Sequence, residues 1–213
     1  MSFQHSVRLL PIFIAVILAI WTTHLSAEAC KATPAASCQG ADLSRIIWKG
    51  RDLRNGDFRK ANLAGANLEG VILRGADLRG ANLQGARLLR SDLEGAKLDE
   101  ADLSGVNLRN ANLRKASLTG VKMARAFLEG ADLSQTRLNN ADLSRSAFIG
   151  ADLGSTDLRE ANLEGAFLNY ANLKGANLLG TTLQRSRLIG ARLAESTWSD
   201  GRTCSATAVS VCD

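Results

Sequence analysis

The sequence is poor in the residues that most often carry chemistry or fill a compact core. Only 5% of its 213 residues are aromatic, Pro occurs twice, and both histidines, His5 and His24, lie within the first 29 residues. With 19 Gly against 2 Pro and a hydrophobic fraction of 46%, the chain is neither collagen-like, nor a Pro-rich linker, nor plainly disordered. Val, Ile and Phe are also scarce, and the apolar fraction is mostly Leu and Ala, which argues against an ordinary packed domain. Something regular must use them. Beyond residue 29 the lack of His removes Ser-His-Asp and Cys-His arrangements, so no enzyme, cofactor or metal centre is expected.

Residues 1–29 read as an export signal. Arg8 precedes an unbroken apolar run from Leu9 to Trp21, and a polar stretch then ends in Ala27-Glu28-Ala29. The run is shorter than the roughly 20 residues of a membrane-spanning helix, and the small-x-small ending fits cleavage after Ala29. An uncleaved anchor is the alternative, because Thr22 to Ala27 is uncharged and extends the run. Cleavage would make Cys30 the first residue, the position acylated in bacterial lipoproteins, but Ala27 and Glu28 do not make a lipobox. A periplasmic or secreted protein is expected, with membrane association only if the signal is retained or Cys30 is acylated.

Four cysteines remain, Cys30 and Cys38 at one end and Cys204 and Cys212 at the other. An even count in an exported chain points to disulfides, with three pairings open from sequence alone. Zinc sites favour tighter Cys spacing and usually His.

From Ala41 to Asp200 the chain repeats every five residues, as in ANLEG, VILRG, ADLRG and ANLQG. Calling the central residue i, Leu holds 27 of the 32 centres between 43 and 198, and Trp48, Phe58, Met123, Phe148 and Trp198 hold the others. Position i−2 is small or Val in 30 units, with Ile46 and Arg51 the exceptions, and i+2 is Gly in 15. A helix turning about 100° per residue would scatter such Leu around its circumference, and a straight strand would send successive Leu to opposite faces. A chain that turns once per unit escapes both problems. Positions i−2 and i then point inward, i−1 and i+1 outward, and i+2 forms a corner that favours Gly. Four units per coil places seven of nine outward apolar residues (Ile47, Leu89, Phe127, Ile149, Phe167, Tyr170 and Ile189) on one side, leaving out Ile72 and Leu179.

This A(D/N)LxG tandem resembles the pentapeptide repeat family. The resemblance implies a right-handed quadrilateral β-helix, an all-β solenoid of about eight coils with i and i−2 inside. It does not imply one activity, since the family includes proteins that bind DNA gyrase and shield or inhibit it, as well as exported and lumenal members. The expected organisation is a signal peptide (1–29), an N-terminal cap (30–40), the solenoid (41–200) and a C-terminal cap (201–213). Coils stacked at about 4.8 Å make a rod roughly 35 to 40 Å long. Cysteines at opposite ends then lie too far apart to bond. The pairing left is Cys30 with Cys38 and Cys204 with Cys212, closing caps over Trp48 and Trp198.

Net charge is +5, and the excess is local, with Arg45, Lys49, Arg51, Arg54, Arg59 and Lys60 opposed by three Asp in residues 41–60. This is a candidate basic patch for an anionic surface, but nucleic acid is not expected, because Trp48 and Phe58 hold central, inward positions and no outward aromatic residue interleaves with the patch as base stacking would require. Asp132 and Asp152, in adjacent coils, are read as solvated or backbone-bonded rather than as a cation site. The main functional lead is an apolar face of Phe127, Ala147, Ile149, Phe167, Tyr170 and Ile189, for an unidentified protein partner or a second copy. The expected function is therefore a non-catalytic exported scaffold. The alternative is a gyrase-binding DNA mimic, disfavoured by the export signal and by a surface that is not acidic.

Overall fold

A computed structural model describes residues 30–212, so the proposed leader lies outside the described residues. The repeat closes on itself every 20 residues. Asp42 bridges Asn62, Ile47 bridges Asn67, Asp52 bridges Ile72 and Asp57 bridges Asp77, all parallel, and the pattern continues to Asn177 and Thr197. Four units therefore complete one coil. We number the sides one to four from the units centred on Leu43, Trp48, Leu53 and Phe58. Between coils each central N–H reaches outward along the axis, as from Leu63 to Asn82 O at 2.7 Å, and Asn82 N–H returns to Ala61 O at 2.9 Å. Each side contributes a single bridged residue, i−1, in place of an extended strand. The all-β solenoid is thus built almost wholly from corners.

The corners explain why a period of five is stable. The N–H of the next unit's first residue donates back to the central carbonyl, as from Ala66 to Leu63 O at 3.0 Å, closing a four-residue turn. Its third residue, i+2, has positive φ in every unit from Arg45 to Glu195, as a type II turn demands. Gly takes this conformation freely, and none of the other residues that occupy those corners is β-branched.

Packing follows directly. Apart from Leu183 and Leu188 near the C-terminal end, the Leu and Ala columns are almost fully buried. Where Ser or Thr stands at i−2 inside, its hydroxyl donates to a central carbonyl, as from Ser91 to Leu88 O at 2.6 Å and from Thr136 to Leu133 O at 2.7 Å. No polar group is wasted there. Phe58 fits a Leu position because Gly56 makes room: a Cβ on Gly56 would lie 2.4 Å from the ring.

Repeat geometry begins one unit before Ala41. Ala36 to Gly40 forms a complete unit, with Ser37 bridging Asp57, Gly40 at positive φ, and Cys38 fully buried in the central position where Leu is usual. Cys38 bonds to Cys30 and Cys204 to Cys212, with Cα separations of 5.2 and 4.8 Å. After Asp200 the chain turns back, and Thr203 and Val209 make antiparallel bridges to Thr197 and Arg192. Trp48 is buried edge-on against Phe58, and Trp198 is half-buried.

Candidate interaction face

Side two carries the apolar residues. Asn107, Phe127, Ala147, Phe167 and Arg187 follow one another as bridged neighbours in successive coils. Ile149 and Ile189 stand in the parallel i+1 column of the same side, and Tyr170 stands at its corner. Phe127 (41%), Ile149 (42%), Ile189 (64%) and Tyr170 (67%) are exposed, while Phe167 and Ala147 are half-covered. The large side chains alternate between the two columns coil by coil, giving a zigzag ridge. Of the other outward apolar residues, Leu89 and Ile72 are half-buried and Ile47 lies alone at the far end of side two.

Two arginines modify this face in a way the repeat pattern did not reveal. The Arg109 guanidinium carbon lies 4.6 Å from the centre of the Phe127 ring, and that of Arg187 lies 5.2 Å from the Phe167 ring. Arg109 also pairs with Glu129 at 2.8 Å. Each of the two Phe rings therefore lies against a cation from the neighbouring coil, an interaction of about 0.5–1 kcal/mol where solvent has access. The signal in the sequence is the 20-residue spacing itself, which puts Arg187 beside Phe167. Tyr170 lies over Gly190, where a Cβ would come within 2.5 Å of its ring.

The basic residues of the first coil do not form one patch. The four-unit turn spreads Arg45, Lys49, Arg51 with Arg54, and Arg59 with Lys60 over successive sides. Three of the six are also paired: Arg54 grips Asp52 with both Nε and Nη2, Arg59 does the same to Asp57, and Lys49 lies 3.2 Å from Glu69. The same Asp-x-Arg pairing recurs at Asp77 with Arg79 and Asp157 with Arg159. Hydrogen bonds from the arginine side chains hold all four carboxyls below the usual Asp value, against the opposing effect of burial.

Asp132 and Asp152 are bridged neighbours, and each is engaged locally. Asp132 accepts from Ser134 N–H and Oγ at 2.9 and 2.6 Å, and Asp152 accepts from Gly154 N–H at 2.9 Å and Asn172 Nδ2 at 2.8 Å. Among the described residues no group of three or more His, Cys, Asp or Glu is placed to hold a metal, and no helix is long and apolar enough to cross a membrane.

The pentapeptide repeat family model matches in overlapping blocks from residue 36 to residue 194. The chain belongs to the pentapeptide repeat family. Its repeats imply the right-handed hand of the quadrilateral β-helix, and family members are generally non-catalytic. Among solved structures, a pentapeptide repeat protein, Rfr23, from the cyanobacterium Cyanothece 51142 is 39% identical over 43% of this chain, with a TM-score of 0.43. The match spans 63% of that relative. HetL from the cyanobacterium Nostoc, involved in regulating heterocyst differentiation, is 27% identical over 89% of this chain and 97% of its own, with a TM-score of 0.29. QnrB1, a plasmid-mediated fluoroquinolone resistance protein, is 20% identical over 80% of this chain and 89% of its own, with a TM-score of 0.47. No curated protein matches the chain.

Proposed function

We propose that this pentapeptide repeat protein is an exported, non-catalytic scaffold of the bacterial cell envelope that binds a protein through the apolar zigzag of side two. The observation that carries the reading is the run of Phe127, Ala147 and Phe167 as bridged neighbours, widened by Ile149, Ile189 and Tyr170. Contiguous exposed apolar surface on an otherwise charged rod marks a contact site. Rings already fixed by Arg109 and Arg187 lose little freedom on binding. Export is supported by the leader-like composition of residues 1–29 and by the two disulfides. The disulfide-closed segments serve as caps for a rod of about eight coils, and the basic first coil is a mixed-charge surface rather than a docking site.

Crosslinking and pull-down from the envelope fraction tests the face. The wild-type chain should retain a partner that the double substitution Phe127→Ser with Phe167→Ser loses by at least tenfold, with unchanged circular dichroism. Equal recovery would remove the face from consideration. Fractionation separates export from action on gyrase: a chain starting near Cys30 in the periplasm supports the scaffold reading, and full-length chain confined to the cytoplasm would favour gyrase.

A further inference from the structure

The two ends of the rod are stepped, and both steps fall on the same sides. At the N-terminal end, Ser37 extends side four by its bridge to Asp57, and Ala35 N–H extends side three by its bond to Arg54 O at 2.7 Å. Nothing among the described residues precedes Ile47 on side two in the same way. At the C-terminal end, Val209 and Thr203 cover sides three and four through Arg192 and Thr197, and among the described residues no bridge follows Thr182 and Arg187 on sides one and two, where the returning segment reaches only the Gly190 corner, whose N–H donates to Ser210 Oγ at 2.8 Å. The core registers the difference. Leu183 and Leu188 are only half-buried, whereas Leu193, under the returning segment, is fully buried.

The low half of the C-terminal step is an open sheet edge. Every interior unit spends its central N–H, its corner N–H and its i−2 carbonyl on the next coil, as Leu63, Gly65 and Ala61 do with Asn82, Gln84 and Asn82. Among the described residues the N–H groups of Leu183, Arg185 and Leu188 and the carbonyls of Thr181 and Ser186 have no such partner. The raised half of the N-terminal step offers the complement: the carbonyls of Pro34 and Ser37 and the N–H group of Ser37.

We propose that the C-terminal end of one chain stacks on the N-terminal end of a second copy, turned by half a revolution about the shared axis. The turn places the raised sides three and four of the second copy on the low sides one and two of the first. Leu188 N–H then meets Ser37 O and Ser37 N–H meets Ser186 O, in the register that links coils within one chain, and Arg185 N–H faces Pro34 O at the corner that Ala35 holds. The joint covers Leu183 and Leu188 and, on the other half, seats the returning C-terminal segment over Ile46 and Ile47. Such a contact joins unlike surfaces and does not close, so it adds chains in a row. Both ends carry Arg or Lys (Arg45 and Arg51 at one, Arg185 and Arg187 at the other), so screening strengthens the joint.

Sedimentation of the oxidised chain beginning at Cys30, beside the full 213-residue chain, reads the assembly. The expectation is mass that rises with protein concentration and rises further at about 1 M salt, where the Debye length falls to about 3 Å. Ser37→Pro blocks the head without removing an internal hydrogen bond, and Leu188→Arg blocks the tail. Each variant alone should sediment as a monomer, and an equal mixture should give dimers and nothing larger. A monomer for both unaltered chains in both salts overturns the proposal. So does association that survives either single variant, or a mixture that stays monomeric. Association abolished only by Phe127→Ser with Phe167→Ser would place self-contact on the apolar side and also overturn it.

Discussion

At the scale of single residues, the fold depends on what i+2 can do. All corners from Arg45 to Glu195 have positive φ, a conformation that costs an ordinary L-residue about 1–2 kcal/mol. Substituting a corner Gly therefore tests two effects that can be separated. Gly85→Ala meets no atom within 4 Å and should lose only this backbone cost, about 1 kcal/mol. Gly190→Ala meets the Tyr170 ring at 2.5 Å as well, and should lose about 1 kcal/mol more unless the ring swings away. Denaturant melts of the two variants measure the difference, and equal losses would show that Tyr170 yields freely.

At the scale of the repeating unit, the Asp-x-Arg pairs link stability to acid. The carboxyls of Asp57, Asp77 and Asp157 titrate below their ordinary value when folded, so they favour the folded state at pH above their unfolded value of about 3.9. That contribution is lost as pH falls through the lower folded values. Melting temperature should hold from neutrality to about pH 4 and fall below it, and replacing these three Asp by Asn should flatten the fall. Thermal melts across that range give the answer, and an unchanged acid limb would assign the loss to other carboxylates.

The unit was also where the sequence was most legible. Leu at the centre, small residues at i−2 and Gly at i+2 each report a place in a square coil, and the one-sided distribution of Phe127, Ile149 and Phe167 favours four units per turn. Less legible was the first unit, because Cys38 occupies a Leu position and its bonded partner Cys30 stands outside the repeat. The cation contacts of Arg109 and Arg187 were hidden for another reason. A five-residue pattern constrains the inward columns by volume, while outward side chains choose neighbours by charge and reach across coils. The basic cluster of residues 41–60 misled because adjacency in sequence becomes dispersal around a coil.

At the scale of the whole molecule, the ends limit what the rod can withstand. Interior coils are bonded on two faces, but the last coil relies on the returning segment held by Cys204 and Cys212. Cys204→Ser should leave the interior coils folded and free the segment after Gly201, at a local cost of about 2 kcal/mol. Limited proteolysis followed by mass spectrometry should then cut near the C terminus first, and unchanged resistance of that end under oxidising conditions would refute a clamping role. The single bridge per side also sets how such a protein can change in length. Loss of one unit of five residues before Phe127 would leave Leu stacked on Leu and the core intact. It would, however, advance the phase of everything downstream by a quarter turn, carrying Phe127, Phe167 and Tyr170 to a different compass bearing from the Cys30–Cys38 end. Only gains or losses of 20 residues keep that bearing, so the direction in which the rod presents its apolar side is encoded in chain length modulo one coil.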